Sequence, residues 1–273
     1  MKNFKIQNII DIAKQAGDAI MAIRPNITVE TKGDDSPVTQ ADKAASDIIM
    51  TGLAEITPNI PVISEEAPAQ DNDRIIQNHD TYWITDPLDG TKSFIEGYDG
   101  FGVHIGLISD GVPVAGVVYF PEQGKIYFTG DDNKAYLTDE KTNETKRIQT
   151  NDHLTPPFTA AVSWKKKAQP ESINDHAYDP VPAVGGGRLC VAAEGLADLA
   201  VVDRPFSYWD VAAAHAVLLA AGGDMVNAKT GEPTRYHDPR LYIDPALAGG
   251  KTAIAKAMTK GTDMPAKPKA PKL

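Results

Sequence analysis

The chain has 273 residues, 42% hydrophobic and 23% charged, enough to bury a sizeable core as one large α/β domain or two closely packed lobes. A formal net charge of -10 argues against general nucleic-acid binding, and a phosphate ligand on such a chain needs a metal or local lysines. One cysteine, Cys190, excludes an intrachain disulfide, and neither a secretory signal nor a membrane-length apolar run is present, so the expectation is a cytoplasmic enzyme with a reduced core thiol.

Apolar residues at Ile6, Ile9, Ile10, Ala13, Ala16, Ile20 and Ile23 recur at helical spacing, with Pro25 just beyond, and predict an amphipathic helix from Phe4 to Ile23. Lys32 to Pro37 reads as a polar loop, and Thr39 as the N-cap of a helix reaching Glu55. Asp42, in that helix's first turn, reads by itself as a surface acid that suits the helix dipole. Ile60 to Ser64 is a short apolar strand ending on Glu65 and Glu66, where α/β sheets carry their chemistry, although an adjacent glutamate pair is commonly just solvated surface. Pro68 to Asp80 reads as a polar connection.

Tyr82 to Thr85 is a strand that runs into Asp86-Pro87-Leu88-Asp89-Gly90-Thr91-Lys92. Pro87 fixes its own φ and biases Asp86 toward an extended conformation, while Gly90 permits a backbone geometry closed to other residues. Two carboxylates on so rigid a turn repel each other unless a cation lies between them, and hard oxygen ligands suit Mg²⁺. If Gly90 and Thr91 open a helix, their N–H groups also suit an anion. The blander reading is an Asp-Pro turn with a helix cap.

Phe101 to Ile108, Val112 to Phe120, Lys125 to Thr129 and Lys134 to Leu137 read as an antiparallel meander, and the polar Lys141 to Asp152 as a loop between lobes. The expected division is 1–145 for the lobe with the acidic turn, 146–262 for a second α/β lobe and 263–273 for a disordered Pro/Lys tail. Phe158 to Ser163 resumes strand character. Lys165, Lys166 and Lys167 follow, either a solvated face or a second-phosphate contact. Gly185-Gly186-Gly187 is a turn before a short helix from Arg188 to Glu194, and Ala197 to Val202 is a strand. Trp209 to Ala221 has the composition of a buried helix ended by Gly222-Gly223, with Asp210 at its start and His215 packed inside it.

Taken together, Ser64-Glu65-Glu66, Asp86-Pro87-Leu88-Asp89-Gly90-Thr91 and Trp209-Asp210, supported by Pro37-Val38-Thr39-Gln40-Ala41-Asp42, resemble the inositol monophosphatase superfamily of metal-dependent phosphatases. Within it, Lys92, Val191-Ala192-Ala193-Glu194-Gly195 and Trp209 to Ala216 look like the bacterial 3'(2'),5'-bisphosphate nucleotidases. The chain departs from that branch at Ser93, at Ser163-Trp164-Lys165-Lys166 and at Gly185-Gly186-Gly187. Asp203 stands where inositol phosphatases carry an inositol-binding glutamate.

The resemblance implies a layered αβαβα sandwich of the α/β (α+β) class. It implies hydrolysis of a small phosphorylated substrate, adenosine 3',5'-bisphosphate, by a metal-activated water. Glu65, Asp86 and the Leu88 carbonyl would hold one Mg²⁺, and Asp86, Asp89 and Asp210 a second, in a set of two or three ions. Asp42 and Thr91 would orient and deprotonate the water. The N–H groups of Gly90 and Thr91 would hold the phosphate, so the substrate surface comprises Glu65, Leu88, Asp89, Gly90, Thr91 and Asp210. A homodimer is compatible with this reading. The alternatives are an inositol monophosphatase-like polyol phosphatase and a non-catalytic, metal-dependent nucleotide sensor, which has no use for a water-activating pair.

Overall fold

The structure, a computed structural model, describes residues 4–31, 37–151, 158–163, 172–173 and 176–259. The loop before Pro37, the lysine run Lys165-Lys166-Lys167 and the C-terminal tail lie outside the described residues. Helix α1 (Ile6–Ile23) forms where isoleucine and alanine recur every three or four positions, and a tight 3-10 turn containing Pro25 ends it. Strands β1 (Val29–Thr31) and β2 (Pro37–Thr39) pair antiparallel and lead into α2 (Gln40–Ile56), which Thr39 caps as expected.

Strand β3 (Val62–Ser64) is followed by α3 (Ala69–Asn78), in the stretch that reads as a polar connection. Its anchor is polar, which hides the helical period. The Asn72 side chain accepts from the Ser64 N–H at 3.2 Å and donates to the Ser64 carbonyl at 2.7 Å, while Ile75 and Ile76 rest partly buried on the core. Strand β4 (Thr81–Asp89) continues past Thr85 through both aspartates before α4 (Thr91–Ile95).

Strands β5 (Gly102–Ser109), β6 (Val112–Phe120), β7 (Lys125–Thr129) and β8 (Ala135–Asp139) make the expected meander, and β9 (Glu144–Ile148) extends it. The polar segment from Lys141 is thus not all loop: exposed Glu144, Thr145, Lys146 and Arg147 pair with β8 as an outer strand, where charge protects a sheet edge. Strands β10 (Phe158–Ser163), β11 (Ser172–Ile173) and β12 (His176–Ala183) precede α5 (Gly187–Ala193), β13 (Leu199–Val202) and β14 (Phe206–Ser207). Helix α6 (Tyr208–Ala220), β15 (Gly223–Asn227), β16 (Tyr242–Ile243), β17 (Ala246–Gly250) and α7 (Lys251–Met258) complete the described chain. Prolines in β12 and glycines in β17 conceal strands that the sequence reading leaves unassigned.

Among the described residues two sheets carry the fold, ordered β3-β4-β5-β6-β7-β8-β9 and β11-β12-β10-β13-β17-β15. Helices α1 and α2 pack on one face of the first sheet and α6 on the other; α5 lies beside α6 against the second sheet, and α7 packs on β15 and β17. Apolar residues of β13, β15 and β17 alternate between the core around α5 and α6 and a separate core under α7, so α7 closes the far face. The result is the αβαβα sandwich.

Strand β4 shows how alternation aims the acids. Tyr82 and Ile84 join the core under α6, and Trp83 the core under α1 and α2, so Asp86 falls on the α6 side. An unbroken strand would put Asp89 on the opposite face. The pairing with β5 instead shifts register between Asp86 and Asp89, a bulge at Pro87 that moves Leu88 into the α1/α2 core and leaves Asp89 beside Asp86.

Helix α6 comes very close to the first sheet. A Cβ at Gly116 would stand 2.1 Å from the Ala213 carbonyl oxygen, and one at Gly106 would stand 3.0 Å from the Ala213 nitrogen. Gly116→Ala is therefore expected to push α6 off β6 and cost about 1–3 kcal/mol, read by denaturant unfolding. A stability equal to wild type would show that this approach is not tight.

Candidate metal centre and active site

Asp86 and Asp89 from β4 and Asp210 from α6 each offer a carboxylate oxygen, and these oxygens lie within 4.8 Å of one another. Each carboxylate is pinned by one peptide N–H from a different segment. Asp86 Oδ1 accepts from Leu88 at 2.9 Å, Asp89 Oδ2 from Gly186 at 3.1 Å and Asp210 Oδ2 from Ser207 at 3.0 Å. The last bond is one half of a capping box at the start of α6, so Asp210 is an N-terminal helix acid and a member of the cluster at once. A carboxylate has two oxygens, and capping occupies one.

Loss of solvent, and then the charges of Glu65, Asp89 and Asp210, push the Asp86 carboxyl well above its ordinary range. Asp210 is raised by the same desolvation and by Asp89 and Glu65. Glu65, half-buried at the end of β3, therefore stands close enough for its charge to be felt, although the tightest group is the aspartate trio. Hard oxygen donors, crowded and short of counter-charge, fit a divalent cation of the Mg²⁺ class.

The loop before α5 is fitted to this cluster. A Cβ at Gly185, where φ is +45°, would lie 2.0 Å from Asp89 Oδ2, and one at Gly186 would lie 2.1 Å from the Asp210 carbonyl. The three glycines let a backbone close over the acids, a role invisible in the run itself.

Asp42 is not a surface acid. Only 2% exposed, it accepts at Oδ2 from the Thr39 N–H and hydroxyl, both at 2.7 Å, and faces the Thr91 hydroxyl with Oδ1 at 3.1 Å. The same Thr91 oxygen lies 3.1 Å from the Leu88 carbonyl, so its one proton has two acceptors to choose between. Gly90 takes φ +84°, the left-handed conformation expected of it, and caps α4. Thr39 and His104 are neighbours of the site that sequence reasoning misses. Nothing local in the sequence marks them.

A cavity of about 320 Å³ opens beside the cluster, lined by Glu65, Asp89, Gly90, Thr91 and Asp210 and by Lys92, Arg188, Arg204 and Phe206. Arg188 is buried, donates to the Gly185 and Val201 carbonyls and stands 3.6 Å from Asp203 Oδ1. Arg204 is exposed, its guanidinium 5.2 Å from the centre of the Phe206 ring. His215 is packed as expected, its Nδ1 3.1 Å from the Tyr236 hydroxyl, and Cys190 is a buried free thiol. No described helix is long and apolar enough to cross a membrane.

The sequence profile of the inositol monophosphatase family matches residues 4–261. The chain belongs to the inositol monophosphatase family. It is 37% identical over 246 residues to the 3'(2'),5'-bisphosphate nucleotidase CysQ of Escherichia coli O6:H1, a match covering 89% of this chain and 98% of that one. The crystal structure of CysQ from Bacteroides thetaiotaomicron superimposes with a TM-score of 0.76 at 30% identity, covering 91% of this chain and 98% of that one. The extragenic suppressor protein suhB of Bartonella henselae does so with a TM-score of 0.73 at 25% identity, covering 94% and 98%. Membership of this family makes the chain a phosphatase and places the acidic trio in a metal-dependent fold.

Both raised carboxyls bind protons more tightly in the folded chain than at their unfolded value of 3.8, so in metal-free protein their contribution to stability falls as pH rises above about 4. Asp86→Asn keeps an oxygen for the Leu88 N–H and removes one repelling charge. At neutral pH in chelator it is expected to raise the thermal midpoint by about 2–4 °C, measured by calorimetry. A lowered midpoint would contradict the repulsive cluster.

Proposed function

We propose that the chain is a Mg²⁺-dependent phosphomonoesterase that removes the 3'-phosphate of adenosine 3',5'-bisphosphate. The observation that carries the reading is one cavity that gathers two unlike kinds of group: carboxylates of a cluster suited to a divalent ion, and an exposed arginine beside a phenyl ring. A substrate with one phosphate at the acids and a second phosphate for Arg204 matches that combination. Among the described residues Arg204, and not Asp203, lines the cavity, while Asp203 faces Arg188. That arrangement favours a second phosphate over a polyol. The names of the CysQ relatives point the same way.

In this reading Asp86, Asp89, Asp210, Glu65 and the Leu88 carbonyl would hold two or three Mg²⁺ ions. Bound Mg²⁺ supplies charge neutralisation and acidifies a coordinated water. The remaining work falls to the chain. The Gly90 and Thr91 N–H groups at the start of α4 receive the phosphate oxygens, and the three peptide donors on the aspartates keep the carboxylates from rotating. As the attacking water gives a proton to Thr91 Oγ1, the threonine hydroxyl would pass its own proton to Asp42 Oδ1, so the pair carries one proton off the water.

Thr91→Ala or Asp42→Asn is expected to lower kcat by about 10²–10⁴-fold at saturating Mg²⁺ while metal affinity holds. If the two are only a helix cap and its partner, the loss is instead about 1 kcal/mol of stability with near-normal turnover. Substrate choice is read by phosphate release from adenosine 3',5'-bisphosphate and inositol 1-phosphate in parallel. The nucleotide is expected to be preferred, and Arg204→Ala to raise its KM about 10–100-fold without changing that for inositol 1-phosphate. Preference for inositol 1-phosphate would replace the nucleotide reading with the polyol one.

A further inference from the structure

His104, on β5, touches both segments that carry the acidic trio and the glycine loop that closes over it. In the β4/β5 pairing it stands opposite Asp86, and its carbonyl accepts from the Thr85 hydroxyl at 2.8 Å. Its ring is fully buried, with Nδ1 3.1 Å from the main-chain carbonyl of Asp210 and Nε2 3.5 Å from Asp89 Oδ2. A carbonyl oxygen only accepts, so Nδ1 carries the hydrogen, and this bond ties the first turn of α6 to the sheet. The Nε2 contact with Asp89 is too long for a good hydrogen bond, and Nε2 has no hydrogen-bond partner among the described residues.

The ring itself has no freedom. Phe120 stands edge-on to it at 6.4 Å between centroids, and a Cβ at Gly186 would come within 2.7 Å of Cε1. Gly186, which leaves room for the imidazole, also donates its N–H to Asp89.

We propose that His104 is a positioning residue of the metal centre, whose Nδ1–H holds the first turn of α6, and with it Asp210, in register with Asp86 and Asp89. The inference rests on the metal reading above. It concerns a residue that binds no ion itself: the trio's ligand oxygens gather without it. Groups that orient metal ligands from outside commonly change metal affinity by about 10–100-fold when removed.

Two variants separate the ring's nitrogens. His104→Asn keeps a donor near the place of Nδ1 and drops Nε2, whereas His104→Gln reaches toward Nε2 and drops the Nδ1 donor. Mn²⁺ binding to the full chain, followed by the loss of the free-ion electron paramagnetic resonance signal, is expected to stay near wild type for His104→Asn. It is expected to weaken about 10–100-fold for His104→Gln. His104→Ala, lacking both nitrogens, should match His104→Gln and replaces it if that variant does not fold. Calorimetric midpoints in chelator show whether each variant is folded. Equal Mn²⁺ affinity in His104→Asn and His104→Gln, or wild-type affinity in His104→Ala, overturns the positioning role and leaves the metal reading standing. A wild-type chain that binds no Mn²⁺, or binding undiminished by Asp210→Asn, overturns the metal reading and this inference with it.

Discussion

Three carboxylates gathered within 4.8 Å in a desolvated place is the constraint on which the rest of the structure turns. Left alone, such a group costs free energy, and the raised Asp86 and Asp210 carboxyls express that cost. The fold keeps the acids together by fixing each one with a peptide N–H from Leu88, Gly186 or Ser207. Those donors orient the oxygens without neutralising them. A bound cation would supply the missing charge, and a family of metal-dependent phosphatases is where the chain belongs.

Several features far apart in sequence serve that gathering. The bulge at Pro87 puts Asp86 and Asp89 on one face of β4, which strict alternation would forbid. Glycines at 106 and 116 let α6 press on the sheet and carry Asp210 down to the strand acids, and glycines at 185 and 186 let a loop close over them. In each case a missing side chain is what permits the approach. The same economy appears in the carboxylates: Asp42 and Asp210 are both third residues of their helices, closing capping boxes with Thr39 and Ser207. One oxygen fixes the helix start and the other is left for the site.

The sequence displayed this site where its parts are contiguous. Asp86 to Thr91 and Trp209-Asp210 carry their geometry locally, through a proline, a left-handed glycine and a helix start, and the layered fold followed from the resemblance they support. Where a role depends on packing between distant segments, the local residues alone do not show it. Asp42 reads as a surface acid from its neighbours alone and gains a site role only through the resemblance, and His104 looks like an ordinary strand residue until β5, α5 and α6 meet. Helix α3 escaped because its key contact is the polar Asn72 amide, and β9 because an edge strand can be charged along its whole exposed length.

The central claim is that the acidic trio works by holding a divalent ion, and phosphate release by the chelated protein tests it most directly. Chain stripped with excess chelator and assayed on adenosine 3',5'-bisphosphate should release no phosphate, and adding Mg²⁺ back should restore turnover in a saturable way. Full turnover in excess chelator would contradict the account.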